Sequence, residues 1–182
     1  MFKSTPYLLP FENPPHQCLA DGKGGYYFAD ELGHHVLRLD VSGRVSWRSP
    51  TEGPGRLAYP CGILLHEKRL YVADSWHHSL AIFDEDGQFL EAWGSFGLEP
   101  GLMETPVFVA SGPDNNIWVL ENGNHRLQAF DAKGAAIKLA SGESEVYIDA
   151  QVRAFEAPKT DEHPLEAVSH RSQPFFYPRS II

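Results

Sequence analysis

The sequence predicts an all-β fold made of four-stranded antiparallel β-propeller blades, three of them complete and the first strand of a fourth. Three observations predict it. A unit with the same landmarks occurs three times along the 182 residues. Its apolar runs have the length of strands, and no long stretch holds the 3.6-residue period of an amphipathic helix. The turns between the runs carry glycine at one repeated place.

The landmarks are specific. An acid closes the second run of each unit: Asp30, Asp74 and Glu121. A histidine follows four residues later: His34, His78 and His125. An aspartate ends the third run (Asp40, Asp84, Asp131), and a glycine stands three residues beyond it (Gly43, Gly87, Gly134). Every landmark is offset by 44 and then 47 residues between copies, so the windows match without a gap. A period in the forties built from short strands is that of a propeller blade rather than a helical solenoid.

Taken in order, residues 1–14 are an N-terminal extension, MFKSTPYLLPFENP, with one lysine and no apolar run of signal-peptide length before its prolines, so no secretory signal is expected. Blade one (15–49) has strands at 16–20, 25–30, 35–40 and 44–48. Blade two (59–93) has them at 60–65, 69–74, 79–84 and 88–93. Blade three (105–139) has them at 106–110, 116–121, 126–131 and 135–139. Runs such as YVAD and LAIF are nearly continuous in apolar residues. A strand covered on both faces by neighbouring blades needs that pattern. The turns DVSG, DEDG and DAKG place glycine where a tight hairpin requires positive φ. The landmarks lapse over 140–176, read as a long loop insertion. YPRSII (177–182) then repeats the form of YPCGIL (59–64) and starts a further blade.

Propeller rings close with about four to eight blades. Three therefore call for completion, either by more blades of a longer chain or by a second copy in a homodimer.

Composition narrows the partners. The formal charge is −9, and both 1–140 and 141–182 are acidic. Nucleic-acid affinity comes chiefly from basic groups on phosphates, so no nucleic-acid partner is expected. No apolar run is long enough to span a bilayer, so no membrane partner is expected. Cys18 and Cys61 lack metal-ligand spacing and read as buried, reduced thiols. A cytoplasmic location follows as the expectation.

YVADSWHHSLAIFDEDGQFL, and more closely IWVLENGNHRLQAFDAKG, resembles the NHL repeat, named for its Asn-His-Leu core. The resemblance covers about 16–140. Only blade three has the Asn-His-Arg form (Asn124, His125, Arg126); blade two has His77-His78-Ser79 and blade one Gly33-His34-His35. The resemblance implies a ring of six blades. Among the relatives it implies are RNA- or protein-binding scaffolds, amidating lyases with a channel metal, and lactonases.

Repetition sorts the candidate residues. His34, His78 and His125 could be imagined around one zinc. A need that recurs in every blade is structural, however, and equivalent positions sit around a ring, too far apart for one ion. Asp30, Asp74 and Glu121 read likewise as structural acceptors for turn amides. Trp76 and His77 break the pattern and, with the cation Arg126, are the candidate binding residues. His16 and Gln17 are polar residues on an innermost strand, facing the channel. No catalytic residue, metal ligand or cofactor is assigned. The expected function is a scaffold that binds a protein or small ligand on its loop face. The alternative is a propeller lyase or lactonase-type hydrolase holding a divalent metal such as zinc or calcium in the channel.

Overall fold

The computed structural model describes residues 13–112 and 115–141, and the backbone of 146–148 and 154–156. The described residues hold no helix. Blade one is the sheet β1 (Gln17–Ala20), β2 (Tyr26–Asp30), β3 (His35–Leu39) and β4 (Val45–Arg48). Blade two is β5 (Pro60–His66), β6 (Arg69–Asp74), β7 (Ser79–Asp84) and β8 (Phe89–Trp93). Blade three is β9 (Pro106–Ser111), β10 (Ile117–Glu121), β11 (Arg126–Phe130) and β12 (Ala136–Ser141). In each sheet the strands lie in chain order and pair antiparallel.

The boundaries predicted for these strands agree within two residues. Within the predicted 140–176 insertion, β13 (Val146–Ile148) pairs with β14 (Ala154–Glu156) as a two-stranded hairpin. The rest of that insertion, residues 1–12 of the N-terminal extension and the predicted strand at 177–182 lie outside the described residues.

The core sits between blades. Leu70, Val72 and Phe83 of blade two bury against Tyr27, Ala29 and Val36 of blade one. Leu80 and Ile82 meet Val109, Val119 and Phe130 of blade three. Each face of β6 and β7 is therefore covered, which explains their unbroken apolar sequences. Full burial of a side chain such as Phe83 contributes about 1.5–3 kcal/mol.

The third-strand aspartates build the following turns. One oxygen of Asp40 accepts from the amides of Ser42 and Arg44, and Asp84 and Asp131 repeat that geometry. The turn glycines do more than adopt positive φ. Gly87 (φ 83°) lies under the indole of Trp47 from blade one, and Gly134 (φ 82°) under Trp93 from blade two. A Cβ at Gly134 would sit 2.6 Å from the Trp93 indole nitrogen. These glycines thus let the last strand of one blade press onto the next.

Cys18 departs from expectation, because it is exposed whereas Cys61 is buried. Cys18 shares the repeat position of Ile63, but β1 alternates half-buried and exposed residues where β5 is buried on both faces.

Candidate functional site at the loop face and channel mouth

The landmark histidines form interblade locks. His34 Nδ1 accepts a 3.1 Å hydrogen bond from the amide of Tyr59, and His78 Nδ1 a 3.0 Å bond from the amide of Thr105. Each donating residue directly precedes the first strand of the next blade. His34, His78 and His125 have φ of 58°, 54° and 49°, a left-handed conformation uncommon outside glycine. The residue that His125 would meet falls outside the described residues.

The landmark acids hold the neighbouring amide of the same loop. Asp74 Oδ1 accepts from Ala58 N at 2.9 Å, and Glu121 Oε2 from Glu104 N at 3.0 Å. Consecutive amides therefore tie each long connection to two blades at once: 58 to its own blade's acid and 59 to the previous blade's histidine, then 104 and 105 likewise. Asp30 instead accepts from Gly33 N at 2.9 Å, with His35 Nε2 at 3.4 Å.

Arg126 is turned inward, with a side chain only 9% exposed. Its Nε donates to Glu121 Oε1 at 2.9 Å, and its terminal nitrogens donate to the carbonyls of Leu98, Glu99 and Leu102. Gln128 adds bonds to Glu121, Gly101 N and Leu102 O. Arg126 thus fastens the 94–105 connection rather than projecting to solvent. His77 Nδ1 lies 2.8 Å from Asp74 Oδ2. Burial raises the Asp74 carboxyl above the ordinary aspartate value, against the pull of His77 and the Ala58 amide.

Trp76 is 68% exposed. Its ring lies 5.9 Å from that of Tyr59, and the pair separates two hollows. One, of about 570 Å³, is bounded by His34, Thr51, Arg56 and His77. The other, of about 640 Å³, is bounded by Glu31, Cys61, Ser75, Val107 and Asn122.

Strand register shows what the second hollow is. Cys18, Ile63 and Val109 pair with Phe28, Val72 and Val119, each two residues before its blade's acid. Counting from these pairs, His16, Cys61 and Val107 share one repeat position, and Glu31, Ser75 and Asn122 share another. The hollow is therefore the channel mouth, lined by equivalent positions of three successive blades. Gln17 bridges β1 to β5 through two bonds with the Ile63 backbone, at 3.2 and 2.8 Å.

At this mouth His16, Glu31 and Cys61 bring one ligand atom each within 4.8 Å of one another. They are the only such trio among the described His, Cys, Asp and Glu side chains, and the three landmark histidines are not brought together. Burial pushes the Cys61 thiol up to about 11, partly offset by the Ser75 hydroxyl 3.1 Å away. Sequence reasoning places His16 toward the channel but misses Glu31 and Cys61. Part of their signal is present in the repeat, since Cys61 stands where blade three has Val107, and Glu31 is the one carboxylate where the other blades have Ser75 and Asn122.

The fold and its channel define a β-propeller protein. Residues 104–130 match the family model for the NHL repeat, so the third blade carries an NHL repeat. No curated protein sequence matches it. Among solved structures, it is similar to virginiamycin B lyase from Staphylococcus aureus in its inactive H270A form with quinupristin. That match has 15% identity, a TM-score of 0.63, and covers 82% of this chain and 50% of the other. A streptogramin B lyase structure matches at 15% identity and TM-score 0.59, over 76% and 46% of the two chains. Hydrazine synthase of Kuenenia stuttgartiensis matches at 15% identity and TM-score 0.58, over 80% and 43%. The chain spans about half the length of the structures it matches, and at this identity the likeness concerns the fold alone. No helix among the described residues is long and apolar enough to cross a membrane.

Proposed function

We propose that this protein is a binding propeller that holds a protein segment or small ligand on its loop face, with Trp76 as the aromatic anchor. The observation that carries this reading is the exposure of Trp76 between two hollows whose volumes suit ligand pockets. An exposed indole braced by Tyr59 offers a large apolar contact at small entropic cost. Loops on a rigid scaffold are where such sites concentrate. His77 borders the first hollow and can add a hydrogen bond, whereas Arg126 supports the face from below.

The reading includes a ring of six blades completed by further blades, and a cytoplasmic setting in keeping with two free thiols. Calorimetric titration with a panel of short peptides and ring-bearing small molecules tests it. The expected result is a saturable heat with at least one member that Trp76→Ala abolishes while the far-ultraviolet spectrum is unchanged. Equal binding by Trp76→Ala would overturn the reading. The second reading, a metal-dependent lyase or hydrolase, is favoured by one observation, the His16–Glu31–Cys61 trio.

A further inference from the structure

The geometry points to a divalent metal site of the zinc class at the channel mouth, formed by His16 and Glu31 of blade one and Cys61 of blade two. The ligand atoms of an imidazole, a carboxylate and a thiol lie within 4.8 Å of one another, a spread that one ion can draw together. The donor set selects the metal. A thiolate with an imidazole suits zinc and its neighbours, whereas calcium and magnesium take oxygen ligands.

The position of the trio in the repeat makes chance proximity a weak explanation. The scaffold needs no polar residue at the position of His16 and Cys61, since Val107 occupies it in blade three. Ser75 and Asn122 occupy the position of Glu31, so a carboxylate stands there only in blade one. The two repeat positions therefore carry a His, a Glu and a Cys only where blades one and two meet. Gln17 and the His34 lock hold those two blades in fixed relation on either side of the trio.

The protein around the trio also has the parts a site requires. Ser75 Oγ is 3.1 Å from Cys61 Sγ and 2.6 Å from the Pro106 carbonyl, which fixes the hydroxyl beside the sulfur. Glu31 and Cys61 form part of the wall of the 640 Å³ hollow, so ions can reach them. Three protein ligands leave a tetrahedral metal one position for water or an exogenous group, which here would face that hollow. Metal binding displaces the thiol proton, leaving thiolate as the ligand.

Cobalt(II) added to the metal-free full chain tests the site, followed by visible and near-ultraviolet absorption. A thiolate-to-cobalt charge-transfer band saturating at one equivalent and displaced by zinc(II) is the expected result. Cys61→Ser should abolish the band. His16→Ala, at an exposed position, should weaken cobalt binding roughly tenfold or more, as should Glu31→Gln. Cys18→Ser should leave the band unchanged. Trp76→Ala should also leave it unchanged, which separates this inference from the ligand-binding reading. No band, a band lost in Cys18→Ser, or a band that His16→Ala and Glu31→Gln both leave at full affinity would overturn it.

Discussion

The imidazole Nδ1 of His78 accepts the backbone amide of Thr105 at 3.0 Å, joining residues 27 apart and two blades that share no sheet. His34 and Tyr59 repeat the bond one blade earlier. The histidine is the adhesive between repeats, and its left-handed turn aims the ring across the interface.

Loss of that acceptor leaves a half-buried amide without its partner. His78→Ala should therefore cost about 1–3 kcal/mol. His78→Asn, which tolerates the left-handed turn, should recover part of it. Urea unfolding measures both, and an unchanged midpoint for His78→Ala would show the lock to be inert.

Arg126 and Glu121 form a buried pair at 2.9 Å, with Glu121 fully enclosed. Replacing Arg126 by Met removes the counter-charge and three loop carbonyl contacts together. The expected cost is roughly 3–5 kcal/mol, because an uncompensated carboxylate stays buried. Limited proteolysis should then cut first within 94–105. Cleavage elsewhere at the wild-type rate would show that Arg126 does not fasten that connection.

Two buried aspartates should give opposite pH dependence. Burial pushes the Asp21 carboxyl up, but the Lys23 and Gly25 amides and the Arg38 guanidinium together hold it below the usual value. Its contribution is full above the unfolded aspartate value of about 3.9 and is lost as pH falls through its lower folded value. Asp74 is raised by burial, so its contribution is present at acid pH and lost as pH rises through its higher folded value. Asp74→Asn keeps an acceptor for Ala58 and a donor toward His77. Its stability relative to wild type should therefore rise from acid to neutral pH. A flat or falling difference in urea midpoints over that range would contradict the raised Asp74 carboxyl.

Ring closure by a second copy meets an obstacle at Pro14. By strand register Pro14 takes the place of Tyr59 and Thr105, and proline has no amide to donate to a preceding histidine. His125 of one copy would meet no partner there. Light scattering on a sizing column should accordingly give no discrete species at twice 20.3 kDa. A clean dimer would show that copies close the ring through a different contact.

The blades were legible because their physics is local. Alternation of strands and turns, the Asp–Gly hairpins and the 44- and 47-residue offsets locate all twelve blade strands from sequence alone. The landmark histidines and acids were recognisable as structural from repetition, although their partners were not. Arg126 looked like an available cation because sequence does not show which carbonyls a connection folds over it. Cys18 and Cys61 looked alike because sequence does not show which first strand another blade covers, nor that the two lie at different repeat positions.

The channel-mouth trio belongs wholly to the tertiary structure. His16, Glu31 and Cys61 show no ligand spacing along the chain, and Cys61 comes from a different sheet. Their meeting depends on the angle at which blade two packs on blade one. That angle is set by the apolar interface, the Gln17 bridge and the His34 lock. Sequence by itself determined the repeat, the strands and the turns, since short-range hydrogen bonding and hydrophobic periodicity suffice for those. Packing decided which side chains share a site, since proximity across blades arises only once separate sheets bury their faces together.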